Sequence, residues 1–240
     1  MILSWALYDL ANQFFALNVV SLYFVRWLIL EKKSPEILYS ISFGISTFFI
    51  AILAPILGAI SDVTGRRKPP LIFLTLLSIV FTMLLGVKDN IFLSLLFFAI
   101  ANFGCQTATV FYNSLMVNIA PKNKIGLISG LGKAFGYTGA ILALYLIKPV
   151  VLKSGYQATF LPTGILFFIF SLPCLIFIKD RQSSGRINLP RPWAQGRGLV
   201  SFIKKDKILE IFRALRKTLL DIHALPGLLD FLKAAFFGLS

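Results

Sequence analysis

Residues 91–110 read IFLSLLFFAIANFGCQTATV, an uncharged stretch of 20 residues. A helix rises 1.5 Å per residue, so this length crosses the ~30 Å hydrocarbon core of a bilayer. Reading outward, four more apolar runs read as spans: Ile37–Ile60, Leu71–Val87, Gly126–Ile147 and Ala158–Ile178. A sixth, Leu3–Leu30, is long enough but contains Asp9 and Arg26. In lipid every backbone polar group must bond internally, so these runs are helices and not open sheet. The breaks between them are short, which makes sequential helices antiparallel neighbours.

Composition agrees. Of 240 residues, 57% are hydrophobic and only 14% charged, against about 25% charged in a soluble domain. That excludes a disordered chain, a coiled coil and a collagen-like fibre, and makes a soluble enzyme a poor fit. The net charge of +14 would by itself suggest nucleic acid. Most of that charge sits beside or between apolar runs, so the expected partner is the lipid bilayer and no nucleic acid is expected. Cys105 and Cys174 lie inside apolar runs, His223 is the one histidine, and neither HExxH nor G-x-S-x-G occurs. No metal, no cofactor and no enzymatic reaction are therefore expected.

The expected fold is all-α and polytopic, a six-helix transmembrane bundle over residues 1–178. Residues 179–225 read as a cytoplasmic basic segment. Its first part is Ser-, Gly- and Pro-rich linker, and residues 199–220 pattern as a basic amphipathic helix, suited either to an anionic membrane surface or to a solvated connector packed on cytoplasmic loops. The apolar run over 226–240 reads as the start of a seventh helix, with an interfacial helix as the alternative. With the N-terminus in the cytoplasm, the inward loops carry 16 Lys and Arg and the outward loops 6. The positive-inside rule then favours both termini inside, and the basic segment after residue 178 decides that orientation.

The loop between the second and third spans is Gly58-Ala59-Ile60-Ser61-Asp62-Val63-Thr64-Gly65-Arg66-Arg67-Lys68. Gly58 would allow close helix approach and Gly65 a tight turn. Asp62 can accept charge-assisted hydrogen bonds, and Arg66 and Arg67 hold the loop inside. This loop resembles the G-x-x-x-D-[RK]-x-G-[RK]-[RK] signature of the major facilitator superfamily, with Val63 departing from the usual Arg or Lys. In that superfamily the loop latches two halves of the molecule together.

Two further stretches narrow the resemblance. Ser4-Trp5-Ala6-Leu7-Tyr8-Asp9-Leu10-Ala11-Asn12-Gln13 looks like the opening of the autophagy-related vacuolar amino-acid effluxers and their bacterial permease relatives. Phe111-Tyr112-Asn113-Ser114-Leu115, Ile119-Ala120-Pro121, then Ser129-Gly130-Leu131-Gly132, Ala134 and Gly136-Tyr137, are similar to a second segment of that family. The resemblance implies transport of amino acids or similar small solutes by alternating access, with proton coupling through Asp9 as an option. It covers the N-terminal half of a member with about twelve helices. The missing C-terminal six-helix half would come from self-pairing or a separate chain. A non-transporting scaffold that binds a partner is the other reading.

Polar residues within spans are costly and mark candidate solute or proton sites. Asp9 and Lys133 lie at similar depth in the first and fifth spans; they are candidates to form an ion pair, with each snorkelling to the cytoplasmic interface as the alternative. Asn12, Gln13, Asn102 and Gln106 are candidate solute-facing amides, with interhelical hydrogen bonding as the alternative. Tyr112 and Asn113 are candidate gate residues. Gly126, Gly130, Gly132, Gly136 and Gly139 form a glycine series for close helix packing, including two G-x-x-x-G pairs, either as a sliding or bending surface for alternating access or as static packing.

Overall fold

The computed structural model describes residues 1–178 apart from 65, 88 and 89; the side chains of 59–64, 117, 118 and 122 also lie outside the description. The expected basic segment, the amphipathic helix and the start of a seventh helix all fall outside the described residues, as do Gly65 and the Asp62 side chain.

The six expected helices are present. They are α1 (Ile2–Glu31), α2 (Glu36–Thr64), α3 (Lys68–Leu84), α4 (Ile91–Ile119), α5 (Ile125–Ser154) and α6 (Phe160–Phe177). Five are long and apolar enough to cross a membrane, and α3 is an apolar helix of 17 residues. The chain is thus an all-α, multi-pass membrane protein. Helix starts follow local chemistry. Asn90 accepts from Leu93 N at 3.1 Å and caps α4. Pro69 and Pro70 open α3, where their missing N–H groups cost nothing. Gly155, at φ +81°, ends α5 in a conformation that favours glycine.

Packing pairs set the layout. α1 lies against α5 and α6, α4 against α3 and α2, and α3 against α6. α1 and α4 also meet directly. The order α2, α4, α1, α5 therefore forms one row, with α3 and α6 behind it. Nothing in the described bundle covers the front of that row. Much of the remaining surface is apolar, including Ile37, Ile41, Ile45 and Phe48 of α2 and Ile141 and Tyr145 of α5. Such a surface suits hydrocarbon as solvent.

Two aromatic-rich cores fill the interior. One surrounds Trp5, Tyr8, Phe111 and Tyr112 at the end of the bundle where the chain starts. The other surrounds Phe24, Trp27, Phe98 and Phe160 toward the opposite end. Helix α1 changes pitch between them. It is α-helical over Ile2–Phe15 and π-helical over Ala16–Tyr23 and again over Trp27–Glu31. Residues 2–31 contain neither Gly nor Pro, so the widening has another source. Tyr39 of α2 donates to Val20 O at 2.6 Å and Ser21 Oγ to Ala16 O at 3.0 Å. These hydroxyls bond main-chain carbonyls within the widened stretch, which is how a wide turn is tolerated.

Within the described bundle the glycine series divides. Ile128, Gly132, Gly136, Gly139, Ala143 and Ile147 form the buried stripe of α5 against α1. Gly126 and Gly130 each precede a stripe residue by two positions, about 200° around the helix. A Cβ at either meets nothing within 4 Å, and the same holds at Gly58. α5 has one principal neighbour, so only one of its faces needs small residues.

Candidate functional site

The N-terminal half of α1 carries the site. Trp5 stacks on Tyr112 of α4, with ring centroids 4.7 Å apart and planes at 10°. Tyr8, one turn on, stacks on the same Tyr112 ring at 4.7 Å. Two reciprocal hydrogen bonds lock the pair: Trp5 Nε1 donates to Tyr112 O at 3.2 Å, and Tyr112 Oη donates to Trp5 O at 3.0 Å. Tyr8 Oη and Thr75 Oγ1 of α3 lie 2.7 Å apart. Tyr112, expected at a gate, is therefore fully buried in a clamp between α1 and α4.

The other edge of Trp5 faces α5. Gly132 sits there because a Cβ would lie 2.5 Å from the indole. Next to Gly132, Lys133 turns toward α1, and its Nζ lies 3.3 Å from Asp9 Oδ2. The candidate ion pair is present, and it is lopsided: the Asp9 side chain is 6% exposed and that of Lys133 65%. Gly136, one turn further, leaves room for the Asp9 carboxylate and the Gln13 amide, both within 4 Å of where its Cβ would be.

The amides separate into two groups. Asn12 is buried; its Nδ2 donates to Thr109 Oγ1 at 3.4 Å, and Cys105 Sγ lies 3.8 Å from its Oδ1. Asn102 is also buried and donates to Ser46 Oγ of α2 at 2.7 Å. Both join helices, the alternative role open to them in the sequence. Gln106 and Asn113 are exposed on α4, whose other sides are occupied by α2, α3 and α1, so they lie on the open front. Gln13 is half-buried on α1.

Basic residues at the same end act on helix termini. Arg67 Nη1 donates to Ser114 O at 2.7 Å and Lys68 Nζ to Ile176 O at 3.0 Å. Each reaches a carbonyl in the last turns of α4 or α6, where cations are favoured by the helix dipole. Arg66 is exposed. Among the described residues no cluster of His, Cys, Asp or Glu could hold a metal ion.

A joint whose partner the sequence did not identify lies in the widened part of α1, where Asn18, an amide following Asp9 in the first span, donates through Nδ2 to Thr163 Oγ1 of α6 at 3.4 Å. The signal was an amide and a hydroxyl within two apolar runs.

The three quoted stretches of sequence thus converge on one end of a six-helix bundle, and comparison with known proteins agrees. The Major Facilitator Superfamily profile matches residues 10–238. The chain belongs to the major facilitator superfamily. It is 33% identical to an uncharacterized protein of Aquifex aeolicus (strain VF5) over 78% of its own length and 48% of that relative's. It is 26% identical to YxiO of Bacillus subtilis (strain 168), named an uncharacterized MFS-type transporter, over 98% of its own length and 55% of that relative's. The chain therefore spans about half the length of the curated relatives it matches. No solved structure matches it.

Proposed function

We propose that this chain is the N-terminal six-helix half of a secondary active transporter that moves amino acids or similar small solutes. The observation that carries the reading is the Asp9–Lys133 pair, a buried carboxylate held by an exposed ammonium across the α1–α5 contact. Ionisable residues within a span are costly and mark solute or proton pathways. Gln13 beside the pair, and Gln106 and Asn113 exposed on α4, offer uncharged hydrogen-bonding groups to a polar solute.

The open front of α2, α4, α1 and α5 is the face that a companion half covers. The two halves rock about the site between them. Asp9 is the proton carrier, since taking up a proton removes the charge that holds Lys133. The excess of basic residues on one set of loops supports a cytoplasmic N-terminus. The finer likeness to the autophagy-related amino-acid effluxers gains support from the meeting of its motif residues Trp5, Tyr112 and Gly132 around one indole.

The test is uptake into proteoliposomes. A saturable flux of one or more amino acids, accelerated by an imposed proton gradient and reduced at least tenfold by Asp9→Asn, is the expected result. Flux that ignores both the gradient and Asp9→Asn contradicts proton coupling through this pair.

A further inference from the structure

We propose that Lys133 is the anchor for a carboxylate on the transported solute, and that the solute carboxylate shares or replaces Asp9 as its partner. The proposal rests on the transport reading and gives the site a chemical class of ligand.

Gln13, Gln106, Asn113 and Lys133 are the candidate polar side chains on the helices of this row, and of these four Lys133 carries a charge. The buried amides Asn12 and Asn102 already donate to Thr109 and Ser46. Within the ion pair the exposures are 6% for Asp9 and 65% for Lys133. A solute arriving from the open side therefore meets the ammonium first, and Asp9 lies behind it. A cationic solute would be repelled before it reached Asp9; an anionic group would be attracted.

The geometry leaves the ammonium with capacity to spare. It carries three donors and no acceptor. Its 3.3 Å contact with Asp9 Oδ2 is longer than the about 2.7–2.9 Å of a tight charge-assisted bond. A second carboxylate can be accepted without first breaking the pair, and a proton on Asp9 then hands the cation over. Position 132 is glycine, with the Trp5 indole where its side chain would be, so the neighbouring lysine is carried on a stretch of α5 fixed closely against α1. Gln13, one turn beyond Asp9, is placed to bond the remainder of a bound solute.

The test is calorimetric binding to the purified full chain in detergent, using each of the twenty standard L-amino acids and its C-terminal amide. The amide keeps the side chain and the amino group and removes the negative charge. We expect at least one acid to bind, with its amide weaker by about tenfold or more. Asp9→Asn, which frees the lysine, keeps or tightens that affinity. Asp9→Asn/Lys133→Gln, which leaves a neutral amide pair in place of the ions, weakens it at least tenfold, and Lys133→Arg retains it within a few fold. Three results overturn the anchor: no amino acid binds wild type or Asp9→Asn, an acid and its amide bind alike, or the double variant binds the acid as well as Asp9→Asn does. Uptake measured in parallel separates the two claims. Uptake with acids and amides equivalent removes the anchor and leaves transport standing. Acid-selective binding without uptake keeps the anchor and contradicts transport.

Discussion

Gly132 of α5 lies against the indole of Trp5 on α1, so close that a Cβ would stand 2.5 Å from Trp5 Cζ3. Gly139, two turns along the same stripe, is tighter in kind, since its Cβ would meet the main-chain Leu10 O at 2.6 Å. A ring can shift by some tenths of an ångström; a helix backbone moves only with its neighbours.

Alanine at these positions should therefore rank by contact. Gly139→Ala and Gly132→Ala should each destabilise by about 1–3 kcal/mol through overpacking. Gly126→Ala and Gly130→Ala face open space and should be neutral or stabilising by up to about 1 kcal/mol from helix propensity. Thermal unfolding of the four variants in one detergent checks the order. Equal damage at Gly126 and Gly139 would contradict the assigned stripe.

The Trp5–Tyr112 clamp predicts a second ranking. Tyr112→Phe keeps the stack and loses the hydroxyl bond to Trp5 O, at a cost of about 1 kcal/mol. Tyr112→Ala also empties a fully buried site and should cost about 3–5 kcal/mol. Denaturation curves that place the two variants together would mean that the ring contributes little.

The ion pair predicts an asymmetry in stability. Asp9→Asn replaces a buried carboxylate with a neutral amide beside a solvated lysine, and should change stability by less than about 1 kcal/mol. Lys133→Gln leaves that carboxylate with a weaker partner, and should cost about 1–3 kcal/mol. Unfolding midpoints of the two single variants decide this, with Lys133→Gln the lower.

The widened part of α1 is supported from outside by Tyr39. Removing its hydroxyl in Tyr39→Phe deprives Val20 O of a 2.6 Å bond, worth about 1 kcal/mol. Amide exchange over residues 16–25 should quicken by about fivefold while residues 2–10 stay unchanged. Uniform quickening along α1 would contradict a local role for this bond.

The spans were legible because bilayer thickness imposes a length that an apolar run must meet. The Asp9–Lys133 pair was legible because two opposite charges at one depth in neighbouring helices have few other partners. The faces were not. Asn102 and Gln106 are both amides on α4, four residues apart, yet one is bonded to Ser46 and the other lies on the open row. That difference of some 40° around a helix depends on where α2 rests. Gly126 and Gly130 satisfy the same spacing as Gly132 and Gly136, and only the position of α1 separates them. Nothing in residues 16–23 announces a wider helix, because its support is a hydroxyl from another helix.

The central claim is that the Asp9–Lys133 pair serves solute transport. Its most direct test is amino-acid uptake by proteoliposomes bearing the wild-type chain, Asp9→Asn, and the charge-swapped Asp9→Lys/Lys133→Asp. The account predicts saturable uptake by wild type and a loss of tenfold or more in both variants, since a swapped pair no longer presents the ammonium from α5. Uptake undiminished in both variants, or wild-type uptake no greater than that of protein-free liposomes at any protein density, would contradict it.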